Sequence, residues 1–432
     1  MTMINTKYSK LFLAQILAGM IATTSVSAFA QEDKSTLDLD QYQEIEELKK
    51  RLAKIEKKAK KNVTAKWKGA PVIKNSKGSE MKIRGRLHFD TWTTNGSNDS
   101  DANITGTEIR RARMGIEGKM NGDIKYKFEL DFAGGNVKYK DAYIAYTGWE
   151  DQTIYAGLKK SDWSMQNITS SRYSDMIEQP LIVNGLAPDE GSRTVGLLYT
   201  KYGKNWHWSG QVGGDGPIND GEMNDTTRIV TRAHYAPILS DDKVVHLGAW
   251  GYKENYGDNR ETRLKERLGN HFNDLIRIKS GKLENSNSGT AYGVEAAGIW
   301  GPFSVAAEYM TKSFEDDASI DPTMSGYYLT ASYFLTGETK AYKGKTGTFS
   351  RTKPNSSITK GGIGAWQVVA RVDRADFNDN ALPGGEADTY TLGLNWWPTA
   401  YTRVMLNYVN FDLTGSQNDD GDHIGLRVAV DW

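Results

Sequence analysis

Clusters of basic residues are the parts of this 432-residue sequence that could bind a solute. Two clusters occur, one formed by Arg110, Arg111 and Arg113 and the other by Arg263, Lys265 and Arg267. In an extended chain, alternate residues share a face and lie about 7 Å apart. Guanidinium groups bind phosphate-like oxyanions through paired N–H donors. The two clusters are therefore candidates for a row of oxyanion-binding sites from which an ion can pass step by step.

A solvated charged face is the alternative interpretation of both clusters. Glu261 and Glu266 lie among the cations of the second cluster and offset part of their charge. In the first cluster, Arg111 and Arg113 share one parity, so they point inward if Ala112 and its alternate neighbours face lipid. The residues by themselves leave the choice between an anion ladder and a solvated face open.

Both clusters fall within a long region in which apolar and polar residues alternate. From Met81 to Phe89, for example, the odd positions hold apolar residues and Gly85, and the even positions hold charged residues and His88. Such alternation is typical of a strand with one apolar and one polar face. Sixteen such segments occur, at 81–94, 108–120, 124–133, 139–148, 152–160, 193–203, 206–213, 227–237, 243–254, 290–301, 303–314, 324–337, 364–377, 389–399, 402–413 and 422–432. The sequence therefore predicts an all-β fold.

The connections between these segments differ in length in a regular way. Short turns such as 121–123 alternate with long loops such as 161–192 and 255–289. Outer-membrane barrels have short turns at one end and long loops at the other. We therefore predict a 16-stranded antiparallel transmembrane β-barrel over residues 81–432, surrounded by outer-membrane lipid. A soluble sandwich or solenoid is the alternative, but it does not explain this asymmetry, which only the long connection 338–363 breaks.

The first 30 residues predict a signal peptide. Lys7 and Lys10 precede an apolar stretch from Leu11 to Thr24, and Ala28-Phe29-Ala30 is similar to a cleavage site. A retained membrane anchor is the alternative, which Gln15 within the apolar stretch disfavours. Cleavage after residue 30 removes two basic residues, so 52 basic and 54 acidic side chains remain in the exported chain.

Residues 31–68 are rich in Glu and Lys and carry an apolar stripe. The stripe has spacings of three and four residues and consists of Ile45, Leu48, Leu52, Ile55 and Ala59. This is the a/d pattern of a coiled coil, although about three heptads are too few to hold chains together alone. We predict a short N-terminal α-helical coiled coil in the periplasm, within an oligomer held together elsewhere, and a linker at 69–80. A single amphipathic helix on a partner surface is the alternative.

The composition argues against several classes of function. The chain has no cysteine, which excludes disulfides and cysteine-ligated metal centres. Its 54 basic and 54 acidic residues lack the basic excess of a nucleic-acid-coating protein. The six histidines are scattered, without an H-E-x-x-H or G-x-S-x-G motif, so we predict no enzyme activity and no cofactor. The acidic stretch 418–422 could hold Ca²⁺, but turn residues without a ligand role are the favoured interpretation.

A barrel of sixteen strands leaves an aqueous lumen, whereas eight strands would be filled by side chains. The predicted function is therefore a pore, and inward-facing side chains and inward-folded loops would decide what it selects. The basic clusters favour anions. A general or sugar-conducting pore is the alternative, with Trp92, Tyr143 and Trp163 available to stack on sugar rings.

Several stretches, taken in their order along the chain, resemble one known family. They are Ile109-Arg110-Arg111-Ala112, Ala236-Pro237 with 243–248, 335–338 with Lys353-Pro354, Gly364-Ala365-Trp366 and 391–396. From about Lys82 to Trp432 the chain resembles the phosphate-selective porins of the O and P type. The resemblance implies a homotrimeric channel in the outer membrane of a Gram-negative cell that passes inorganic phosphate or polyphosphate by passive diffusion. It also implies a long periplasmic turn, which would account for the connection 338–363.

The same resemblance implies roles for individual residues. Arg110 and Arg111 would belong to the constriction, and Arg172 falls where the family places a cation on its third loop. An arginine ladder that funnels anions inward would correspond to Arg263, Lys265 and Arg267.

Three positions depart from the family pattern. Arg113 stands where the phosphate-specific members have a tyrosine, Lys265 replaces an arginine of the ladder, and Glu266 interrupts it. Lysine keeps the charge but loses the two-point geometry of arginine. The departures therefore favour a general anion preference over strict phosphate specificity.

Overall fold

The computed structural model describes residues 39–67, 69–189, 191–214, 216, 224–317, 320–415 and 417–432. The chain divides into two units, residues 1–62 and residues 63–432, and each is described by itself. The predicted signal peptide lies outside the described residues.

The first unit contains one long helix, α1, from Leu39 to Asn62. The side chains of Ile45, Leu48 and Leu52 are 38%, 55% and 59% exposed, as expected of an apolar stripe that is not covered within the single chain. The side chains of Ile55 and Ala59 lie outside the described part. Within the predicted segment 31–68, residues 39–62 are helical and 63–67 form a strand, and the coiled coil stays a prediction. None of the described helices is long and apolar enough to span a membrane.

The second unit is built from antiparallel strands that each pair with the next one along the chain. Sixteen of them form the barrel: β3 Glu80–Asn95, β4 Thr105–Met120, β5 Ile124–Asp131, β6 Lys138–Tyr146, β7 Gln152–Lys160, β8 Arg193–Tyr202, β9 Trp206–Gly213, β10 Thr227–Leu239, β11 Lys243–Thr262, β14 Leu283–Trp300, β15 Phe303–Asp316, β16 Thr323–Phe334, β19 Ala365–Asp376, β20 Glu386–Thr399, β21 Thr402–Thr414 and β22 Asp419–Asp431. β22 pairs with β3, which closes the sheet. The predicted 16-stranded barrel is confirmed.

Shorter elements lie in the connections. They are the strands β1 Val63–Trp67, β2 Pro71–Asn75, β12 Lys265–Arg267, β13 Arg277–Lys279, β17 Tyr342–Lys343 and β18 Thr348–Phe349, and the helices α2 Met165–Ile168 and α3 Leu181–Gly185. β1 pairs with β2, and β2 pairs with the start of β3. Residues 71–75 of the predicted linker at 69–80 thus form a strand that extends the sheet.

Alternation sets the two faces of the barrel wall. In β3 and β22, Leu87, Phe89 and Val428 are exposed on the outer face, and His88 and Arg427 are buried on the inner face. An outer band of exposed apolar side chains is what a barrel presents to lipid. Most of the aromatic residues near the short turns are also exposed outward, namely Trp149, Trp206, Trp208, Trp300 and Phe303.

The two ends of the barrel differ in their connections. The turn end carries short turns such as 121–123, where Asn121 and Gly122 have φ values of 51° and 88°, the positive pair typical of a type I′ hairpin turn. The loop end carries the long connections. β11 continues to Thr262 and β14 begins at Leu283, so the predicted loop 255–289 is shorter than expected, because its flanks stay paired. The connection between β16 and β19, residues 335–364, is the one long connection at the turn end.

The connection 161–192, which we name the inner loop, folds into the barrel in its described part and contains α2 and α3. Trp163, Met165 and Ile182 are fully buried in an apolar cluster. Their partners are inward-facing residues of later strands, such as Trp250 of β11 and Phe314 of β15. The inner loop therefore fills the side of the lumen formed by β9 to β22, which we name the packed wall. The side formed by β3 to β8 is named the open wall.

Candidate functional site

A β-bulge determines where the paired arginines of β4 point. His88 of β3 pairs with Arg111, and Phe89 pairs with Ile109, so Arg110 is the extra residue between them. A bulge of this kind re-aims the side chains around it. Arg110 and Arg111 therefore both face the lumen, although they are consecutive in sequence. Simple alternation, on which Arg111 and Arg113 point inward, would turn Arg110 outward.

Three cavities adjoin one another along the open wall. The loop-end cavity has a volume of about 320 Å³, the middle cavity about 350 Å³ and the turn-end cavity about 450 Å³. Gln179 and Ser192 line both the loop-end and the middle cavity. Lys159 and Lys160 line both the middle and the turn-end cavity. The three spaces thus form a candidate passage from one end of the barrel to the other.

The middle cavity is strongly basic. Two carboxylates, Glu129 and Asp141, reach its surface. Against them stand nine basic residues: Arg84, Arg86, Arg111, Arg113, Lys127, Lys159, Lys160, Arg172 and Arg193. Three of the predicted site residues, Arg111, Arg113 and Arg172, are therefore brought together here.

Some of these cations are neutralised by neighbours in the wall. Arg113 donates from Nε to Asp131 at 2.7 Å, and Lys127 contacts Asp141. Four others form no ion pair with a carboxylate among the described residues: Arg86, Arg111, Lys159 and Lys160. Arg111 instead lies 3.4 Å from the ring of His88. These four groups therefore line the cavity without a carboxylate to offset their charge, although Arg86 and Lys160 donate hydrogen bonds to Ser171 and Asn167 of the inner loop.

The loop-end cavity contains Arg110 and a carboxylate of the inner loop. Arg110 donates two hydrogen bonds to Glu178, both at 2.9 Å. Arg427 of β22 donates to the same carboxylate at 2.9 Å and makes two hydrogen bonds to Asp90 at 2.7 and 2.6 Å. Burial acts to raise the pKa of Glu178, but the charges of Arg110 and Arg427 outweigh it and hold that pKa well below its usual range. Arg110 is thus tied to the inner loop.

Arg172 lies where the barrel closes. Its guanidinium donates to the carbonyl oxygen of Gly85 in β3 at 3.1 Å and lies 3.0 Å from Asp431 of β22. Next to it, Arg86 donates to the hydroxyl of Ser171 at 2.5 Å. The inner loop therefore contacts both strands of the closing seam.

The predicted ladder is divided by the structure. β12 pairs with β13, so Lys265 lies opposite Lys279 and Arg267 lies opposite Arg277 on one face of a short hairpin. Arg267 contacts Asp274 and lines the loop-end cavity. The other two, Arg263 and Lys265, are exposed and line none of the three cavities of the passage.

Several charges of the packed wall are paired with each other. Arg228 donates to Glu254 at 3.0 and 2.7 Å, and Arg371 to Asp373 at 2.6 Å. Glu295 accepts hydrogen bonds from Arg232, and it also accepts the backbone N–H of Met165 in the inner loop at 2.7 Å. These charges hold the inner loop against the wall.

Sequence reasoning missed several residues of the passage. Arg86, Lys159 and Lys160 were not among the predicted site residues, although Arg86 has the parity of the polar face of β3. Two of the aromatic residues considered for sugar stacking, Trp92 and Trp163, are buried in apolar clusters. Of the three, Tyr143 lines the middle cavity.

The histidines are also less scattered than the sequence suggests. His207, His234 and His246 lie on adjacent strands and stack, with ring centroids 5.8 and 5.0 Å apart. The connection 335–364 enters the lumen beside them, where His234 Nε2 lies 2.8 Å from the carbonyl oxygen of Gly344. Within the described residues, no group of three or more His, Asp or Glu side chains could hold a metal ion.

Comparison with known proteins identifies the family. The family described as phosphate-selective porin O and P matches residues 81–432. An uncharacterised protein of Caulobacter vibrioides is 30% identical over 395 residues, which cover 85% of this chain and 76% of that protein. Porin O of Pseudomonas aeruginosa is 25% identical over 404 residues, which cover 83% of this chain and 88% of that protein.

Solved structures share the fold. The anion-selective porin of Comamonas acidovorans superposes with a TM-score of 0.53 at 14% identity, covering 82% of this chain and all of that one. OmpT of Vibrio cholerae gives a TM-score of 0.54 at 9% identity, covering 83% of this chain and 99% of that one. With its family match and its closed barrel, the chain belongs to the phosphate-selective porin O and P family, and it is a passive channel of the outer membrane and not an enzyme.

Proposed function

We propose that the channel prefers anions and passes phosphate-like oxyanions, inorganic phosphate or polyphosphate, along the open wall. The observation that carries the proposal is the charge of the middle cavity, where nine basic side chains face two carboxylates. Side chains of one charge that line a low-dielectric passage attract ions of the opposite charge and raise their local concentration.

The kind of cation supports oxyanions over halides. Arg86 and Arg111 line the middle cavity without a carboxylate partner among the described residues. Guanidinium groups present a planar pair of donors that fits two oxygens of a phosphate. Lys159 and Lys160 lie at the boundary with the turn-end cavity and would bind the ion next, as point charges. A row of such sites lets an anion move on without a deep trap.

A general or sugar-conducting pore is less well supported. Trp92 and Trp163 are 1% and 0% exposed, so they offer no ring to a sugar in the passage. Sugar binding of the kind considered above would depend on Tyr143 alone among the three residues.

Planar-bilayer recordings of the purified protein test the proposal. In a KCl gradient the reversal potential should show anion selectivity, and added phosphate should block the chloride current in a saturable way. The double variant R86A/R111A should lower the anion-to-cation permeability ratio about threefold or more, because two charges leave the passage. The matched control is Lys253→Ala, since Lys253 is an exposed cation that lines none of the three cavities. An unselective wild-type channel without phosphate block would overturn the proposal.

We further propose that three copies assemble, with the turn end and α1 in the periplasm. The turn end is placed there because short turns face the periplasm in barrels of this kind. The exposed stripe Ile45, Leu48 and Leu52 would form the short coiled coil. One solved structure of OmpT of Vibrio cholerae is described as a trimer form. Mass measurement in detergent tests the number of copies, and deleting residues 39–62 tests whether the helix contributes; a monomeric full-length chain would contradict the assembly.

A further inference from the structure

Charges in the loop-end cavity are balanced differently from those in the middle cavity. Its charged lining residues include two arginines, Arg110 and Arg267, and two carboxylates, Glu178 and Glu266. Arg110 is paired with Glu178, and Arg267 contacts Asp274. Glu266 is the carboxylate that remains, since no described cation lies within ion-pair distance of it.

The position of Glu266 is fixed by packing. It lies on β12, on the face opposite to Lys265 and Arg267 and toward α3 of the inner loop. Asn184 of α3 donates to its Oε1 at 3.4 Å. The leucines on either side, Leu264 and Leu268, are buried in the apolar cluster and hold this part of the hairpin in place.

Glu266 borders the candidate passage. The loop-end cavity leads to the middle cavity at Gln179 and Ser192, and Glu266 lines the loop-end side. A negative charge at this point repels an anion before it reaches the cations of the middle cavity.

We propose that Glu266 is a specificity-determining residue of the passage, a carboxylate that limits anion entry from the loop end when it is ionised. The inference rests on the proposed anion preference and adds to it a named residue that opposes the flow. It gives a function to the residue that interrupts the basic ladder in the sequence.

The environment of Glu266 makes this control dependent on pH. Burial raises the pKa of Glu266 to about 7, with Arg267 acting to lower it and Glu178 acting to raise it further. The other titratable groups that share the cavity are Arg110 and His271, and His271 lies 2.8 Å from Glu108. As the pH falls through about 7, Glu266 loses its negative charge, so anion entry should become easier.

The test compares chloride conductance in dilute KCl at pH 8 and pH 6 for the wild type and for E266Q. The wild type should conduct about twofold or more better at pH 6, because one charge leaves a cavity of low dielectric. E266Q should match the pH 6 wild type at both pH values. The control Glu284→Gln removes an exposed glutamate outside the three cavities and should keep the wild-type profile.

Two further results separate the possible causes. H271Q should keep the pH response of the wild type; if it abolishes the response, His271 and not Glu266 is the titrating group, and the proposal is overturned. E266A should behave as E266Q does, and heat-resistant migration on gels shows that both variants have folded. If the wild type is anion-selective and E266Q has the same pH dependence of conductance as the wild type, the role of Glu266 is refuted. The proposed anion preference then still stands. A wild type without anion selectivity refutes the proposed function instead.

Discussion

The open wall and the packed wall of the lumen both contain arginines, but these arginines differ in whether they are paired with a carboxylate. On the packed wall, Arg232 and Glu295 are both fully buried and bonded to each other. On the open wall, Arg111 faces a cavity of about 350 Å³ and pairs with no carboxylate among the described residues. The number of arginines therefore does not distinguish the two walls, whereas the pairing of these two arginines with carboxylates differs.

The inner loop creates this difference. Its apolar side chains and backbone N–H groups lie against the packed wall, where Gln166 donates to Glu308 at 2.9 Å and Ile177 to Asn407 at 2.8 Å. The charges of that wall are used to hold the loop. On its other side the loop leaves a cavity that is lined by basic residues of the open wall.

The largest effect should come from breaking the packed wall. Glu295→Ala leaves Arg232 buried without its main partner, and such a loss costs about 3–5 kcal/mol. Urea unfolding of the refolded barrel in detergent should show a matching fall in the free energy of unfolding. Glu284→Ala, which removes an exposed carboxylate, is the control and should change little. A fall of less than about 1 kcal/mol for Glu295→Ala would mean that the pairing on this wall does not stabilise the fold.

A smaller effect should follow from changing the geometry of a cation on the open wall while keeping its charge. R111K should retain the reversal potential of the wild type but weaken phosphate block about tenfold, because lysine lacks the paired donors. Phosphate titration of the chloride current measures both quantities. Equal phosphate block in R111K and the wild type would show that Arg111 acts through charge alone.

Neighbouring arginines at the bulge should respond differently from each other. R111A should lower the anion-to-cation permeability ratio about threefold, because it removes an unpaired charge. R110A should instead raise the open-channel noise, since Glu178 and the inner loop lose one of their two arginine partners. Single-channel recordings of the two variants give the comparison. Identical behaviour would contradict the division between a paired and an unpaired arginine.

The smallest effect should come from the exposed part of the ladder. Arg263 and Lys265 lie outside the cavities, so R263A/K265A should change anion conductance less than about twofold. Even this change should occur only in dilute salt, where the Debye length is above about 10 Å. Conductance measured at 0.05 M and 1 M KCl checks this. A large loss at 1 M KCl would place these residues in the passage itself.

Much of the fold could be predicted because alternation is a local property. In β22 the exposed Ile424 and Val428 and the buried His423 and Arg427 follow the pattern of the sequence. The bulge at Arg110 could not be predicted from alternation, because it depends on how β3 and β4 pair. The resemblance to the family supplied that residue where the periodicity did not.

The remaining misses have one physical cause, which is contact between distant residues. Whether a cation is free or neutralised depends on carboxylates far away in sequence, as in Arg427 with Asp90 or Arg110 with Glu178. The histidine stack and the split of the ladder likewise arise from strand neighbours and from the β12–β13 hairpin. A single sequence carries no sign of such pairs.

The seam between β3 and β22 has a consequence for how the protein is assembled. Arg172 of the inner loop contacts Gly85 on the first barrel strand and Asp431, the next-to-last residue of the chain. Glu178 likewise receives Arg427 from the final strand. A chain that has not yet inserted its last strand therefore lacks the contacts of the inner loop to Asp431 and Arg427 and keeps those to Gly85 and Arg110. The inner loop therefore gains its last contacts only when the barrel closes, and we expect a barrel arrested before that step to have a wider lumen.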